Sequence, residues 1–157
     1  MNHITIISIG KLKESYWKDA EQEYLKRLSA FAKVEIKELK EESFSEKDKP
    51  EIIKQKEANN IKKALPKESF LVVLDKEGKQ WSSEQFSHQM NHSSIQLFNH
   101  LTFIIGGPLG LHDSILSMAN LKFSLSNLTF THQMARVILE EQIYRAYMIT
   151  HNRAYHY

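Results

Sequence analysis

Two short, uninterrupted apolar runs limit the folds that this chain can adopt. Residues 70–74 read FLVVL and residues 101–105 read LTFII. Each run is too short for a buried helix, and both are rich in β-branched and aromatic side chains. Runs of this kind are typical of strands that are buried on both faces, as in a parallel sheet covered by helices. They predict an α/β fold.

The rest of the chain alternates between strand-like and helix-like segments. Further strands are predicted at residues 4–9, 34–39 and 121–125, helices at residues 13–31, 50–65, 82–90, 112–120 and 133–150, a loop at residues 41–49 and a turn at residues 75–79. This order predicts a mostly parallel sheet with helices on both faces. No repeat or linker divides the sequence, so we expect one domain over residues 1–157.

Composition excludes several classes of protein. The chain has no cysteine, which rules out a disulfide scaffold, a thiolate zinc site and a cysteine nucleophile, and which agrees with a reducing compartment. The apolar start reads as a strand and not as a signal peptide, and no apolar stretch reaches the roughly 20 residues that span a bilayer. We therefore expect a soluble, cytoplasmic protein without a membrane partner. A net charge of +2 permits an RNA partner but does not argue for one.

The loops that follow the strands are the places to look for a ligand. In an open α/β sheet, ligands bind beyond the carboxyl ends of the strands, which here are Leu74, Ile105 and Leu125. Residues 106–110 read GGPLG, and glycines let a ligand approach the backbone; a plain tight turn explains this loop equally well. Residues 125–130 read LSNLTF and would suit an adenine, although they also fit an ordinary loop. Neither loop is a GxGxxG or a triphosphate-binding motif.

The last predicted helix is apolar around nearly its whole circumference, which indicates burial or an interface. It also carries two charge pairs at i,i+4 spacing, Arg136 with Glu140 and Glu141 with Arg145. They are either structural ion pairs or charges held at a subunit junction beside an active site. The tail at residues 151–157 (HNRAYHY) either frays or docks and contacts RNA through stacking and phosphate bonds.

Taken in order, these segments resemble a known family. The matching stretches are IGKLKExYW at residues 9–17, IIGG at 104–107 followed by Gly110 and Leu111, LSxLTFxHQMxRV at 125–137, EQxYRA at 141–146, and Tyr155-His156. Together they resemble the RlmH family of SPOUT methyltransferases over essentially the whole chain. The 132–146 stretch is far more specific than the glycine loop.

The resemblance implies more than the pattern alone predicts. It implies a SPOUT fold with a C-terminal trefoil knot, a topology that is otherwise nearly absent from proteins, and a homodimer packed through the last helix. It also implies transfer of a methyl group from S-adenosylmethionine, without a metal, to N3 of a pseudouridine in 23S ribosomal RNA on the assembled ribosome. The alternative is a non-catalytic ribosome- or RNA-binding module with the same fold.

The resemblance also assigns roles to residues. It places the cofactor at Leu74, Gly106, Leu125, Ser126, Asn127, Leu128, Thr129 and Phe130, the RNA contacts at His132, Arg136 and Arg145, and catalysis at Glu141, Arg145, Tyr155 and His156. His156 is the first candidate for the base that removes the N3 proton, because the pKa of histidine lies near working pH; Glu141 is the second.

Two positions depart from the family pattern. Thr131 stands where relatives commonly have proline, which predicts a less rigid loop. Asn152 and Tyr157 stand where relatives often have a glycine and a final lysine, so the path of the tail is less certain than the pocket.

Overall fold

Five parallel strands form the centre of the molecule. The computed structural model describes residues 2–98 and 100–155, and the sheet order is β2-β1-β4-β3-β5. The strands are β1 (Asn2–Ile9), β2 (Ala32–Leu39), β3 (Ser69–Lys79), β4 (His100–Ile105) and β5 (Leu121–Phe123), and the helices are α1 (Ser15–Leu28), α2 (Pro50–Ala64), α3 (Ser83–Met90), α4 (Ser93–Gln96), α5 (Asp113–Leu116) and α6 (His132–Thr150). All four strand pairings in this sheet are parallel, so the predicted α/β class is confirmed.

Each face of the sheet carries its own hydrophobic core, because side chains alternate between the faces along a strand. One core joins even-numbered β1 residues such as Ile4 and Ile6 to side chains of α1, α3 and α6. The other joins Ile7 and Ile9 to α2 and α5. Each fully buried isoleucine contributes about 1.5–3 kcal/mol. Helices therefore cover both faces, as predicted.

The predicted turn at residues 75–79 is wrong, because β3 continues to Lys79. Leu74 and Lys79 both pair with Phe123 of β5, so the segment between them departs from a regular ladder. A Cβ on Gly78 would lie 2.7 Å from backbone atoms of Phe123, which leaves room only for glycine. The polar composition signals a turn, but β5 offers these residues a backbone partner that sequence alone does not show.

The predicted helix at residues 112–120 is also mostly wrong. Only Asp113–Leu116 is helical. Asn120 instead bonds twice to β3: its amide N–H donates to the Leu71 carbonyl at 2.9 Å, and its side-chain oxygen accepts from the Leu71 N–H at 2.7 Å. These bonds to a central strand end the helix early.

Helix α6 runs antiparallel to β1. Its first residue, His132, lies against Gly10, just after β1 ends. Near its other end, Tyr147 lines a cavity of about 290 Å³ together with His3 and Ile4, where β1 begins. Leu139, Ile143 and Ala146 are buried in the core that also holds side chains of α1 and α3, whereas other apolar side chains of α6, such as Ile138, are only half-buried. Among the described residues, no helix is both long and apolar enough to cross a membrane.

Candidate active site

The predicted cofactor residues lie at one edge of the sheet. Val73 is opposite Ile104 of β4, and Leu74 is opposite Phe123 of β5. Since neighbouring strands lie about 4.8 Å apart, Leu74 of β3 lies level with the ends of β4 and β5, where the glycine loop and the segment that leads to residues 125–130 begin. The structure thus brings Leu74, Gly106 and the loop at residues 125–130 to the same carboxyl edge.

The loop at residues 125–130 is shaped by its own hydrogen bonds. The Ser124 hydroxyl donates to the Ser126 carbonyl at 3.0 Å, and the Leu128 N–H donates to the Ser126 hydroxyl at 3.0 Å. The Gln80 side chain donates to Asn127 Oδ1 at 2.7 Å. Leu128 is left 73% exposed. A preformed loop that offers a leucine to solvent suits the covering of a flat, partly apolar ligand.

The glycine loop exposes backbone at the same edge. Gly110 has φ +78°, and its N–H donates to the Gly107 carbonyl at 2.9 Å, which closes a tight turn. A Cβ on Gly106 would lie 3.0 Å from Leu111 Cγ, whereas the space beside Gly110 is open. The open space beside Gly110 leaves the backbone of this loop uncovered, which fits a ligand that contacts the backbone.

Glu57 of α2 lies beneath this loop, and the sequence analysis missed it. Its side chain accepts the Glu42 N–H at 3.1 Å, and both carboxylate oxygens lie 3.4 Å from the point that a Cβ on Gly107 would occupy. Glu57 is only 4% exposed. Burial, reinforced by the negative charges of Glu41 and Glu42, raises its pKa. The available signal was a glutamate on the apolar stripe of α2, among Ile53, Ala58 and Ile61.

The predicted RNA contact His132 opens α6 at the same edge. Its Nε2 lies 2.9 Å from the point that a Cβ on Gly10 would occupy, and Gly10 has φ +91°. Lys13 N–H donates to Gln133 Oε1 at 2.6 Å, so the loop after β1 docks on the first turn of α6. His132 Nε2 is buried and has no hydrogen-bond partner within the described part of the chain.

The first predicted charge pair is part of a larger buried cluster. Arg136 is 1% exposed and bonds to Glu21 of α1, through Nε at 2.5 Å and through Nη2, and to Glu38 of β2 at 2.8 Å. Glu140 lies 3.6 Å from Arg136 Nε. The predicted contact between Arg136 and RNA would require a phosphate to displace Glu21 and Glu38. In the single chain this arginine serves the fold.

Glu140 is the least solvated member of this cluster. It is 0% exposed, and neither carboxylate oxygen has a hydrogen-bond partner among the described residues. Burial, together with the charge of Glu21, raises the pKa of Glu140 to about 9. Its carboxyl group is therefore protonated at neutral pH, which avoids a third negative charge around one arginine.

The second charge pair lies nearer the surface and, together with Tyr155, accounts for three of the four predicted catalytic residues. Glu141 Oε1 accepts Arg145 Nε at 2.9 Å and Nη2 at 2.5 Å, and it also accepts the Tyr155 hydroxyl at 3.3 Å. The Arg145 guanidinium lies 4.8 Å from the centre of the Tyr155 ring. Burial and the neighbouring Tyr24 raise the pKa of Tyr155 above its usual range. His156 lies outside the described residues.

The structure does not bring this cluster to the cofactor residues of the same chain. From His132 at the carboxyl edge, α6 rises about 20 Å to Arg145. Tyr155 folds back onto Tyr144, with ring centres 4.9 Å apart, and stays on the side of α1. The predicted cofactor residues lie in β3 and after β4 and β5. A site that contains both groups is therefore incomplete in one chain.

One pair of histidines has i,i+4 spacing on or beside α3. His88 and His92 have ring centres 6.5 Å apart. Among the described residues, no group of three or more histidine, aspartate or glutamate side chains is arranged to hold a metal ion. This pair thus lacks the additional ligands that protein metal sites use.

Comparison with known proteins identifies the family. A family model described as a predicted SPOUT methyltransferase matches residues 2–156. The chain belongs to the SPOUT methyltransferase family. A relative from Desulforamulus reducens, named ribosomal RNA large subunit methyltransferase H, is 46% identical over 159 residues, covering 99% of each chain.

Further relatives carry the same name. The protein from Clostridium acetobutylicum is 43% identical over 157 residues, covering 98% of this chain and 99% of the relative. The protein from Streptococcus uberis is 46% identical over 156 residues, covering 98% of each. The resemblance to the RlmH family is confirmed, and the chain is a methyltransferase.

This SPOUT methyltransferase uses Thr131 in a way that proline could not. Thr131 is the N-cap of α6, and its hydroxyl accepts the Met134 N–H at 3.3 Å. A threonine at this position satisfies one of the free N–H groups of the first helical turn. Thr131 therefore supplies a helix cap between the loop at residues 125–130 and His132.

Proposed function

We propose that this chain transfers a methyl group from S-adenosylmethionine to N3 of a pseudouridine in large-subunit ribosomal RNA. It acts in the cytoplasm on the assembled ribosome, as a homodimer packed through α6 and with a C-terminal trefoil knot. The observation that carries the proposal is the near-complete coverage of relatives that are all named ribosomal RNA large subunit methyltransferase H. The convergence of Leu74, the glycine loop and the loop at residues 125–130 at one sheet edge supports it.

Leu74, Gly106 and residues 125–130 hold the cofactor in this proposal. Backbone groups of the two loops recognise its polar atoms, and Leu128 covers an apolar face. When bound, the cofactor supplies a methyl group that is already activated by the positive charge on sulfur, so no metal is required. The main task of these residues is alignment, which contributes roughly 7–11 kcal/mol in favourable cases.

Arg145, Glu141 and Tyr155 act on the RNA base. Glu141 accepts hydrogen bonds from both partners, which holds the guanidinium and the phenol in place. Arg145 stabilises negative charge on the base carbonyls as the N3 proton leaves. Tyr155 stays protonated because its pKa is raised, so it donates a hydrogen bond and stacks. His156 remains the first candidate for the base that removes the N3 proton. General base catalysis typically raises a reaction rate by about 10²–10⁴-fold. His132 adds a contact to RNA.

A second copy of the chain completes the site. Since Arg145 and Tyr155 lie far from the cofactor residues of their own chain, we infer that they act on the cofactor bound by the partner subunit. The apolar and half-buried surface of α6 supplies the interface. Two such sites form in a symmetric dimer.

The direct test measures transfer of a labelled methyl group to ribosomes from a strain that lacks this gene. We expect transfer only when the target uridine has first been converted to pseudouridine. Binding to ribosomes without transfer, and without binding of S-adenosylmethionine, would instead establish the non-catalytic module.

A mixing experiment tests the shared site. We expect Gly106→Val to abolish cofactor binding, because a side chain there meets Leu111, and Arg145→Ala to lower transfer at least 100-fold while leaving binding intact. Re-equilibrated mixtures of the two variants should recover about one quarter of wild-type activity, since half of the dimers are mixed and each mixed dimer has one intact site.

The control for the mixture is each variant re-equilibrated alone, which stays inactive. No recovery in a mixture shown to contain mixed dimers would place both groups of residues in one chain and refute the shared site.

A further inference from the structure

Glu57 is a buried carboxylate that directly underlies the glycine loop. Both of its oxygens lie 3.4 Å from the Cβ position of Gly107, the residue after the proposed cofactor contact Gly106. Consecutive Cα atoms are 3.8 Å apart, so the carboxylate lies within roughly 9 Å of the Gly106 backbone. Its Oε1 is fixed by the Glu42 N–H. Glu57 is thus a carboxyl group held in a fixed position beside the proposed pocket.

No cation in the described surroundings of Glu57 neutralises it. The charged groups that act on it are Glu41 and Glu42, and both are negative. On neighbouring elements, Lys37 of β2 donates to the Ala64 carbonyl, and His112 pairs with Glu51. His132 of α6 lies beside Gly10, close to Glu41. The field at the glycine loop is therefore negative.

Methyl transfer changes the charge of the bound molecule. The bond between sulfur and the methyl carbon breaks with both electrons left on sulfur, the methyl carbon bonds to N3, and the N3 proton passes to a base. Sulfur is a cation before the reaction and a neutral thioether after it. A fixed negative charge within about 10 Å stabilises the first form more than the second.

We propose that Glu57 gives the pocket its preference for the positively charged methyl donor over the neutral product. The proposal rests on the function proposed above and adds a specificity-determining residue to it. Glu57 does not touch the reacting atoms. It acts through its charge, so donor binding is favoured and product release follows from the loss of the sulfonium charge.

The experiment compares the affinities of S-adenosylmethionine and S-adenosylhomocysteine by calorimetry on the purified full chain. Glu57→Gln keeps the oxygen that accepts the Glu42 N–H but removes the charge. We expect it to weaken donor binding about three- to tenfold and to change product binding less than about twofold. The two molecules share the same amino acid group, so their affinity ratio isolates the charge on sulfur.

The same ratio should depend on pH in the wild type. Since the pKa of Glu57 is raised, acidification over a range of pH values should protonate it before exposed carboxyl groups and reduce the preference for the donor. In Glu57→Gln the ratio should stay flat over this range. That comparison also separates Glu57 from His132, which is present in both proteins.

Two further variants complete the test. Glu35→Gln removes the same charge from an exposed site on β2 and should leave the ratio unchanged. Glu57→Ala also removes the side chain that underlies Gly107, so it should weaken the binding of both molecules. If Glu57→Gln weakened the binding of donor and product equally, the inference would be overturned. If the wild-type chain bound neither S-adenosylmethionine nor S-adenosylhomocysteine, the proposed function would be overturned instead.

Discussion

The two halves of α6 carry the same sequence signal in opposite settings. Arg136 with Glu140 and Arg145 with Glu141 are both i,i+4 pairs of one arginine and one glutamate. In the first half, α1 and β2 add two more carboxylates and enclose the arginine completely. In the second half, the arginine is partly exposed and stacks on Tyr155.

The difference shows that i,i+4 spacing predicts an arginine–glutamate ion pair but not whether that pair stabilises the fold or serves a site. Enclosure by Glu21 and Glu38 commits Arg136 to the fold, because a buried charge without its partners is costly. Arg145 keeps access to solvent at a surface where another molecule can bind. Arg136 is enclosed because α1 and β2 supply Glu21 and Glu38. These two glutamates lie more than 90 residues from Arg136 in the sequence, so the spacing within α6 does not reveal them.

The largest effect should come from Arg136→Ala. It leaves Glu21 and Glu38 as unpaired, partly buried charges, and we expect a loss of about 3–5 kcal/mol in the free energy of unfolding, measured in urea. Arg145→Ala is the matched control and should cost less than about 1 kcal/mol. Similar losses in the two variants would remove the distinction between the two halves.

A smaller effect should follow from the protonation of Glu140. Its pKa is raised from 4.5 to about 9 in the folded protein, so between these values the folded state holds a proton that the unfolded state has lost. Stability is then fully present below about pH 4.5 and falls as the pH rises through 9. We expect the wild type to lose stability steadily between pH 6 and pH 9 because of this group.

Glu140→Gln mimics the protonated form and should abolish that loss. Urea unfolding at several pH values measures it, with Glu23→Gln as the control for an exposed pair on α1. If the stability of wild type and of Glu140→Gln changed with pH in parallel, Glu140 would be ionised in the folded protein, and the protonated, buried state assigned to it would be wrong.

The smallest effect should come from the cap at the start of α6. Thr131→Ala removes the hydroxyl that accepts the Met134 N–H and should cost about 1 kcal/mol of unfolding free energy. Thr131→Ser keeps the hydroxyl and should retain most of the stability. A threonine-to-alanine change without effect would show that the first half of α6 is held by Arg136 and the Gly10 contact alone.

The sequence predicts the sheet well because its strongest signals are local. The runs at residues 70–74 and 101–105 are buried strands, as expected from their length and apolarity. The helix 133–150 differs from α6 by one residue at its start. The failures at residues 75–79 and 112–120 share a cause: a strand elsewhere in the chain supplies hydrogen bonds that local propensity does not include.

The site was predicted by resemblance more than by pattern. Residue spacing proposes the three loops, and the sheet order places them together. Spacing does not reveal that Arg136 is enclosed, that Glu57 underlies Gly107, or that Arg145 lies about 20 Å along α6 from the carboxyl edge. Each of these facts depends on the packing of distant elements.

The pairing of β1 with β4 has a consequence for how the protein is made. His3 lies opposite His100, so one edge of β1 has no strand partner until residue 100 has been synthesised. Leu139 and Ile143 then close one core only when the final helix arrives. Such non-local pairing slows folding, and a nascent chain exposes apolar strands throughout that delay.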